Sequence, residues 1–212
     1  MAINALDVFV NCPFDTIYKP IFNAIVFTVI RSGYRARCAL ETDNAAENRF
    51  EKICSIIAEC KLGIHDISRT ESDGDPPLPR FNMPLELGLF LGARRYGNHQ
   101  QKAKACIVFD REPYRFQRFI SDIAGQDIHA HRGDIPTLIR ELATWMRTQP
   151  GGASGPGGAA ISIEYTIFES LLPAICAARQ LTLGELGFGD FNEIVTEYVA
   201  MQKAAPDSST DQ

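Results

Sequence analysis

Two segments separated by a short polar loop decide how this chain folds: KLGIHDISR at residues 61–69 and PRFNMPLELGLFLGARR at residues 79–95. The first has the length and apolar content of a buried strand, and residues 83–93 of the second predict a helix that is apolar on every face. Glu86 is the one charged residue in that helical core. Leu89 and Phe90 follow three and four positions later, so the Glu86 carboxylate must find a partner, face a cavity or keep its proton.

A plainer interpretation of Glu86 stays open. It lies about one turn after Asn82, the predicted N-cap, where a negative charge suits the helix dipole and can simply be solvated. The helix has no polar stripe that would carry the carboxylate into water, which favours a buried and functional Glu86.

The rest of the chain alternates strands with helices. Apolar runs predict strands at residues 6–12, 34–39, 61–67, 104–110 and 126–131, and helical spacing predicts further helices at 18–32, 44–60, 113–125 and 135–147. Five strands alternating with five helices predict a parallel sheet covered on both faces, a three-layer α/β domain. We expect the flavodoxin-like strand order 2-1-3-4-5.

The chain divides into four parts on composition. Residues 1–148 form the α/β domain, and QPGGASGPGGAA at 149–160 is typical of a linker. Residues 161–203 predict a small helical appendage, and the polar residues 204–212 predict a disordered tail. The apolar positions of the appendage are Ile163, Ile167, Leu171, Leu172, Ile175, Ile194, Tyr198 and Val199. So short a segment rarely builds a core alone, so it should dock on the α/β domain, dimerise or bind a partner.

Charge and cysteine usage limit the function classes. The net charge of the 212 residues is −5 with no basic tract, so we expect neither nucleic acid nor a membrane surface as a partner. The six cysteines show no CxxC pair and no metal-type spacing, which favours a reducing cytoplasm and no metal. No apolar run approaches the length of a membrane span.

The expected strand order places a crevice at the carboxyl ends of strands 1 and 3, where their connections diverge. The loops that end there supply polar and aromatic side chains beside Glu86. The predicted binding residues are Asn11, Phe14, Asp15, Asp66, Ser68 and Asn82.

Other chemistry-bearing patterns are weak. No GxGxxG, P-loop, HExxH or GxSxG motif is present. His65 lies in a buried strand and is interpreted as a hydrogen-bonded core histidine. Arg115 and Arg118, among aromatic residues, could grip a nucleotide, but an amphipathic helix with its charges in water is the favoured interpretation.

Two motifs resemble known families. DVFVNCPFD at residues 7–15 resembles the opening of bacterial TIR-like domains, and NMPLELGLFLG at residues 82–92 resembles the catalytic helix of TIR domains and the ELG segment of nucleoside 2-deoxyribosyltransferases. The resemblance covers roughly residues 5–148. It implies that Glu86 acts at the anomeric carbon of a nucleoside or of NAD. In the transferases a helix before the third strand supplies an aspartate, whereas the nearest position here is Lys52 beside Glu51, and this difference argues against plain transferase activity.

The resemblance therefore implies an N-glycosidase that cleaves NAD or a related nucleotide, with NAD as substrate and no cofactor. It also implies a role in antiviral defence or stress signalling, with homo-oligomers or a partner sensor or effector protein. The alternative is a module that binds a nucleotide, or assembles with other TIR-like domains, without chemistry.

Overall fold

The computed structural model describes residues 3–41, 44, 46–70, 72–73, 78–152 and 155–204. Its strands are β1 (Asn4–Asn11), β2 (Arg35–Arg37), β3 (Cys60–Asp66), β4 (Ser72–Asp73), β5 (Leu78–Pro79), β6 (Ala105–Asp110) and β7 (Ile128–Ala130). Five of them form one parallel sheet in the order β2-β1-β3-β6-β7, while β4 and β5 pair as a separate antiparallel hairpin. When only the five strands of this sheet are numbered along the chain, their order is 2-1-3-4-5. The predicted flavodoxin-like fold is therefore confirmed.

Helices cover both faces of the sheet. They are α1 (Lys19–Arg31), α2 (Arg49–Glu59), α3 (Asn82–Tyr96), α4 (His99–Lys102), α5 (Ile135–Arg147), α6 (Gly158–Ala178) and α7 (Phe188–Ala204). α2 and α3 pack on the face to which Phe9 points, and α1 and α5 pack on the opposite face with Val8 and Val10. Alternate β1 side chains therefore serve different layers, and a strand buried on both faces reads as a continuous apolar run.

α6 and α7 form a further layer over α1 and α5. The buried side chains of both helices belong to the same hydrophobic cluster as Val8, Val10 and α1. The structure therefore shows that α6 and α7 dock on the α/β unit. This is one of the three outcomes expected for the C-terminal segment. Part of the 149–157 connection is packed as well, because Gly152 is buried and the Tyr34 hydroxyl donates to the Pro150 carbonyl at 3.0 Å. Of the predicted disordered tail, residues 205–212 lie outside the described residues.

The helix enclosed on all sides is α1, not α3 as expected. Residues 24–29 of α1 are fully buried, and the Thr28 hydroxyl satisfies itself by donating to the Ala24 carbonyl at 2.7 Å. α3 buries only Met83, Leu87 and Phe90 and leaves Leu85 in solvent. Nothing in the described part of the chain lies outside α3, whereas α6 and α7 cover α1.

Two local predictions were wrong. Phe81, not Asn82, is the N-cap of α3, and no side chain caps that end. The segment predicted as a helix at residues 113–125 forms two short 3-10 turns, Arg115–Arg118 and Ser121–Ile123. Arg115 is also withdrawn from water, because its guanidinium donates to the Asp110 carboxylate, the Ile67 carbonyl and the Thr70 hydroxyl. These partners lie at the end of β6 and in the loop after β3, and helical spacing cannot reveal them.

One helix among the described residues, α6, is long and apolar enough to cross a bilayer by length and composition. Its inner face carries Ile161, Tyr165, Phe168, Leu172 and Cys176, all buried in the shared core. Of its most apolar stretch, 28% is buried in the fold.

Candidate functional site

An open cleft of about 750 Å³ lies at the carboxyl edge of the sheet. β1 and β3 are adjacent and parallel, but the chain leaves β1 towards α1 on one face and leaves β3 towards α3 on the other. This divergence separates the two loops and opens the crevice that doubly wound folds use for ligands. The cleft is lined by Cys12, Pro13, Phe14, Asp15, Arg49, Pro79, Arg80, Phe81, Asn82, Met83 and Glu86.

Glu86 projects into this cleft from the second turn of α3. It is half-buried, and within the described residues its carboxylate has no hydrogen-bond or ion-pair partner. Burial raises the pKa of the Glu86 carboxyl to about 7, and the positive charge of Arg49 opposes this increase only in part. The side chain is therefore poised between its acid and carboxylate forms at neutral pH.

Glu86 lies where the cleft meets a second, more apolar hollow. This hollow of about 340 Å³ shares Arg49, Asn82 and Glu86 with the cleft. Its remaining walls are largely apolar: Phe50, Ile53, Leu85 and Leu89, with Asn48 at the rim. A ligand that joins an apolar ring to a charged group could place its junction beside the Glu86 carboxylate.

The guanidinium groups of Arg49 and Arg80 give the cleft its positive charge. Arg49 is the first residue of α2, whose N-cap Asn48 accepts hydrogen bonds from the Phe50 and Glu51 amides. Arg80 immediately precedes α3, and its guanidinium lies 3.7 Å from the Asp15 carboxylate. Both arginines lie near helix N-termini, where the helix dipole adds to their charge, so the cleft suits phosphate or carboxylate groups.

Asp15 organises the loop between β1 and α1. Its Oδ1 accepts hydrogen bonds from the Ile17 and Tyr18 amides, each at 3.1 Å, and pairs with Arg69 at 2.8 Å. These bonds fix the turn that leads into α1. The same turn holds Phe14 at the cleft wall, where its ring also packs edge-on against Phe22 at 5.3 Å.

Four of the seven predicted site residues line the cleft: Phe14, Asp15, Asn82 and Glu86. Asn11, Asp66 and Ser68 do not, although they lie at the expected edge of the sheet. All three are buried, and Asn11 and Asp66 are engaged by groups from distant elements. The structure therefore places these three side chains outside the cleft lining, and their role as ligand contacts stays a prediction.

Asn11, at the end of β1, connects this strand to β3 and to α3. Its amide donates to Nδ1 of His65 at 3.0 Å and to the Met83 carbonyl at 2.9 Å. The second bond fixes the first turn of α3, one turn before Glu86. His65 is the core histidine expected from the sequence, because it is fully buried and burial lowers its pKa to about 3.

Asp66 is the centre of a buried polar network. It accepts hydrogen bonds from the Tyr18 hydroxyl at 2.5 Å and from the Ser68 amide at 2.8 Å. His131 lies beside this network: its Nδ1 accepts from the Gly133 amide, and its Nε2 lies 3.0 Å from the Asp66 carboxylate without the alignment of a hydrogen bond. The network joins β3 to the start of α1 and the end of β7.

Sequence reasoning missed Arg49, Arg80 and Phe81. The available signal was positional: in a parallel α/β fold the helices begin at the carboxyl edge of the sheet, so their first residues surround the crevice. Arg49 and Asn48 open α2 at that edge, and residues 80–81 precede α3. Phe81 is 58% exposed and offers a flat apolar surface beside the two arginines.

Other reactive groups contribute little at this site. All six cysteines are free, and burial raises the pKa of the Cys12 thiol well above its ordinary value, with Asp66 adding to the effect. Cys12 is therefore held as a thiol, not as the nucleophilic thiolate. No group of three or more metal-ligating side chains occurs among the residues that the structure describes.

Comparison of the chain with protein-family models, with curated proteins and with solved structures finds no match in any of the three.

Proposed function

We propose that this protein is an N-glycosidase that cleaves NAD or a related nucleotide, with Glu86 as its catalytic carboxylate. The observation that carries the proposal is a desolvated carboxylate with no partner among the described residues, lying in a cleft at the switch point of the sheet with two guanidinium groups beside it. Perturbed titratable groups in clefts are characteristic of functional sites. The resemblance of residues 82–92 to glycosidic-bond-cleaving families supports the same assignment.

The chemistry fits the residues present. Cleavage of the bond between ribose and nicotinamide passes through an oxocarbenium-like state, which a nearby carboxylate stabilises or attacks. The nicotinamide ring is cationic while it is bonded to the ribose. It departs with the electron pair of the broken bond and is then a neutral molecule. Water then adds to the anomeric carbon and releases a proton. No strong general acid is required, so one carboxylate can serve.

The arginines would bind the diphosphate of such a substrate, and the apolar wall of the smaller hollow would receive a ring. Guanidinium groups bind phosphate in two-point contacts, and dinucleotide-sized ligands occupy cavities of this volume. A role in defence or stress signalling, with a partner sensor or effector protein in the cytoplasm, belongs to the same proposal and follows from the resemblance alone.

A binding module is the second candidate, favoured by one observation. Among the described residues, the other carboxylate of the cleft is Asp15, which is engaged by Arg69 and by two backbone amides. That part of the chain therefore offers Glu86 no second unengaged carboxylate of the kind that paired glycosidases use. The cleft would then hold a nucleotide without cleaving it.

Incubation of the full-length protein with NAD, NADP and nucleosides, followed by chromatography and mass spectrometry of the products, tests the two candidates. We expect free nicotinamide from the parent and a loss of about 10²–10³ in rate for Glu86→Gln, which keeps the shape but removes the charge. Glu51→Gln, an exposed change on α2, is the matched control and should keep full activity. Undiminished cleavage by Glu86→Gln would reject the catalytic assignment, and binding without cleavage would favour the module.

The pH dependence separates two roles for Glu86. If the carboxylate form acts, kcat/KM rises with pH through about 7 and then levels off, because the proton that burial retains must leave first. A fall in kcat/KM above pH 7 would instead assign Glu86 as a proton donor. We expect the rising profile for NAD and its absence in the residual activity of Glu86→Gln.

A further inference from the structure

α6 presents a second apolar face that the fold leaves uncovered. Its inner face is packed against α1 and α5, yet Ile163, Ile167 and Leu171 on the other side are 65%, 50% and 44% exposed. Exposed alanines continue the row at both ends. The whole outer row, spaced by three and four residues, is Ala160, Ile163, Ile167, Leu171, Ala174 and Ala178. Such spacing aligns side chains along one side of a helix.

This outer row carries no charge. The two charged residues of α6 are Glu164 and Glu169, and neither belongs to the row. Glu164 is neutralised at its flank by Arg31, with Nε and Oε2 2.7 Å apart. The Ser170 hydroxyl, which borders the row, is satisfied within the helix by donating to the Ile167 carbonyl at 2.6 Å. A solvated helix face ordinarily carries charged residues, so this one is built for contact.

The order of side-chain sizes along the row identifies the partner. Read outward from Ile167, the part of the row between Ala160 and Ala174 is symmetric: Ile163 on one side matches Leu171 on the other, and Ala160 matches Ala174, while Ala178 lies beyond the symmetric part. An antiparallel pair of identical helices related by a twofold axis at Ile167 would place each residue opposite its match. A twofold interface requires this self-complementarity, since the same surface is used by both copies.

We propose that two copies of this chain associate through the outer row of α6, as an antiparallel helix pair with its twofold axis at Ile167. The paired segment from Ala160 to Ala174 spans about 21 Å at the rise of an α-helix. The small alanines at its ends let the helices approach, and the larger side chains fill the centre.

A membrane surface fits this face poorly. Helices that lie on anionic membranes carry Lys or Arg along the edges of their apolar face. The segment Gly158–Ala178 contains no lysine or arginine, its charges are both acidic, and the whole chain carries a net charge of −5. None of the residues that line the cleft belongs to α6.

Sedimentation or light scattering of the full-length chain tests the assembly without any nucleotide. We expect twice the 23.5 kDa chain mass over a dilution series. Ile167→Glu brings two carboxylates together at the axis and should weaken the dimer at least about 100-fold while leaving the monomer folded by circular dichroism. Met201→Glu on α7, where Met201 is 63% exposed, is the matched control and should keep the dimer.

Cross-linking tests the register. Ile167→Cys alone should form a disulfide-linked dimer, and Ile163→Cys should do so with Leu171→Cys but not with itself. A monomer at every concentration, a dimer that survives Ile167→Glu, or self-linking of Ile163→Cys would each overturn the proposal. Co-sedimentation with mixed anionic and neutral phospholipid vesicles that Ile167→Glu abolishes would assign the face to a membrane and overturn it as well.

Discussion

Burial raises the pKa of Glu86 to about 7, and at the scale of the single residue this shift affects stability as well as chemistry. An unpaired carboxylate in a half-buried site lowers the free energy of unfolding, and the fold does not require a charge at this position. Gln at this position would keep nearly the same volume and helix propensity. The residue therefore has the character of a site where stability is given up for function.

Glu86→Gln should stabilise the protein in a pH-dependent way. Below pH 4.5, the ordinary value, Glu86 is protonated in both the folded and unfolded states and costs nothing. Between pH 4.5 and about 7 the unfolded state loses its proton first, so the stability of the parent falls as pH rises, and the full cost applies above pH 7. We expect the variant to gain about 1–2 kcal/mol above pH 7, after allowance for partial solvation, and almost nothing near pH 4.

Denaturant unfolding of parent and variant at several pH values measures this difference. Other carboxylates titrate equally in both proteins, so they cancel. Glu51→Gln should show little change across the same range because Glu51 is exposed. A Glu86→Gln protein that is less stable than the parent at pH 8 would mean that the carboxylate makes a favourable contact.

At the scale of elements, the position of the site depends on the contact between β3 and α3. Gly63 of β3 lies beneath His65 and Phe90, and a methyl group there would come within 2.8 Å of His65 Nε2 and 2.9 Å of the Phe90 ring. Both rings are fully buried, so neither has room to move away from an added methyl group. The close approach of α3 to the sheet, which sets the depth of Glu86 in the cleft, therefore needs glycine at this position.

Gly63→Ala should lower the free energy of unfolding by about 1–3 kcal/mol through overpacking. Gly88→Ala is the matched control on α3, because nothing lies within 4 Å of its added methyl group. That exposed helical change should raise stability by about 0.5–1 kcal/mol. Chemical denaturation of both variants measures the contrast, and equal effects would contradict the packing described here.

The sequence predicts elements and the edge of the sheet better than it predicts side-chain partners. α5 begins and ends as predicted at residues 135–147, because Asp134 caps it and its apolar spacing is regular. The sequence drew attention to Glu86 because this residue interrupts an apolar helix. The sequence did not reveal that Asn11 donates to Met83 or that Asp66 accepts from Tyr18, because these partners are distant along the chain. The spacing of residues along the sequence predicts which edge of the sheet a residue occupies. It does not predict the hydrogen bonds that its side chain makes with distant parts of the chain.

At the scale of the whole molecule, the C-terminal helices are part of the main core. Phe168 of α6 is fully buried, and its ring centre lies 5.1 Å from that of Phe27 on α1 and 5.0 Å from that of Tyr198 on α7. Three helices therefore share one aromatic cluster. We expect a single cooperative unfolding transition for the full-length chain, because no separate core exists for α6 and α7 among the described residues.

Phe168→Ala should destabilise the whole protein by about 3–5 kcal/mol, because it removes a large buried ring and leaves a cavity. Ile17→Ala, at a side chain that is 81% exposed, should change stability by less than about 0.5 kcal/mol. Thermal unfolding followed by far-UV circular dichroism and by calorimetry measures both changes. If Phe168→Ala produced a second, early transition and left the main one unmoved, the C-terminal helices would be an independent unit.

The enclosure of α1 has a consequence for biosynthesis. α1 ends at Arg31, but α7, the last helix that covers it, ends at Ala204. At ordinary rates of translation, roughly 5–20 residues per second, the outer face of α1 waits on the order of ten seconds or more before α6 and α7 have both left the ribosome. During that interval the nascent chain shows an apolar helix with nothing to cover it. The ribosome-bound intermediate is therefore the form of this protein with the greatest need of a chaperone, until α6 and α7 emerge and cover α1.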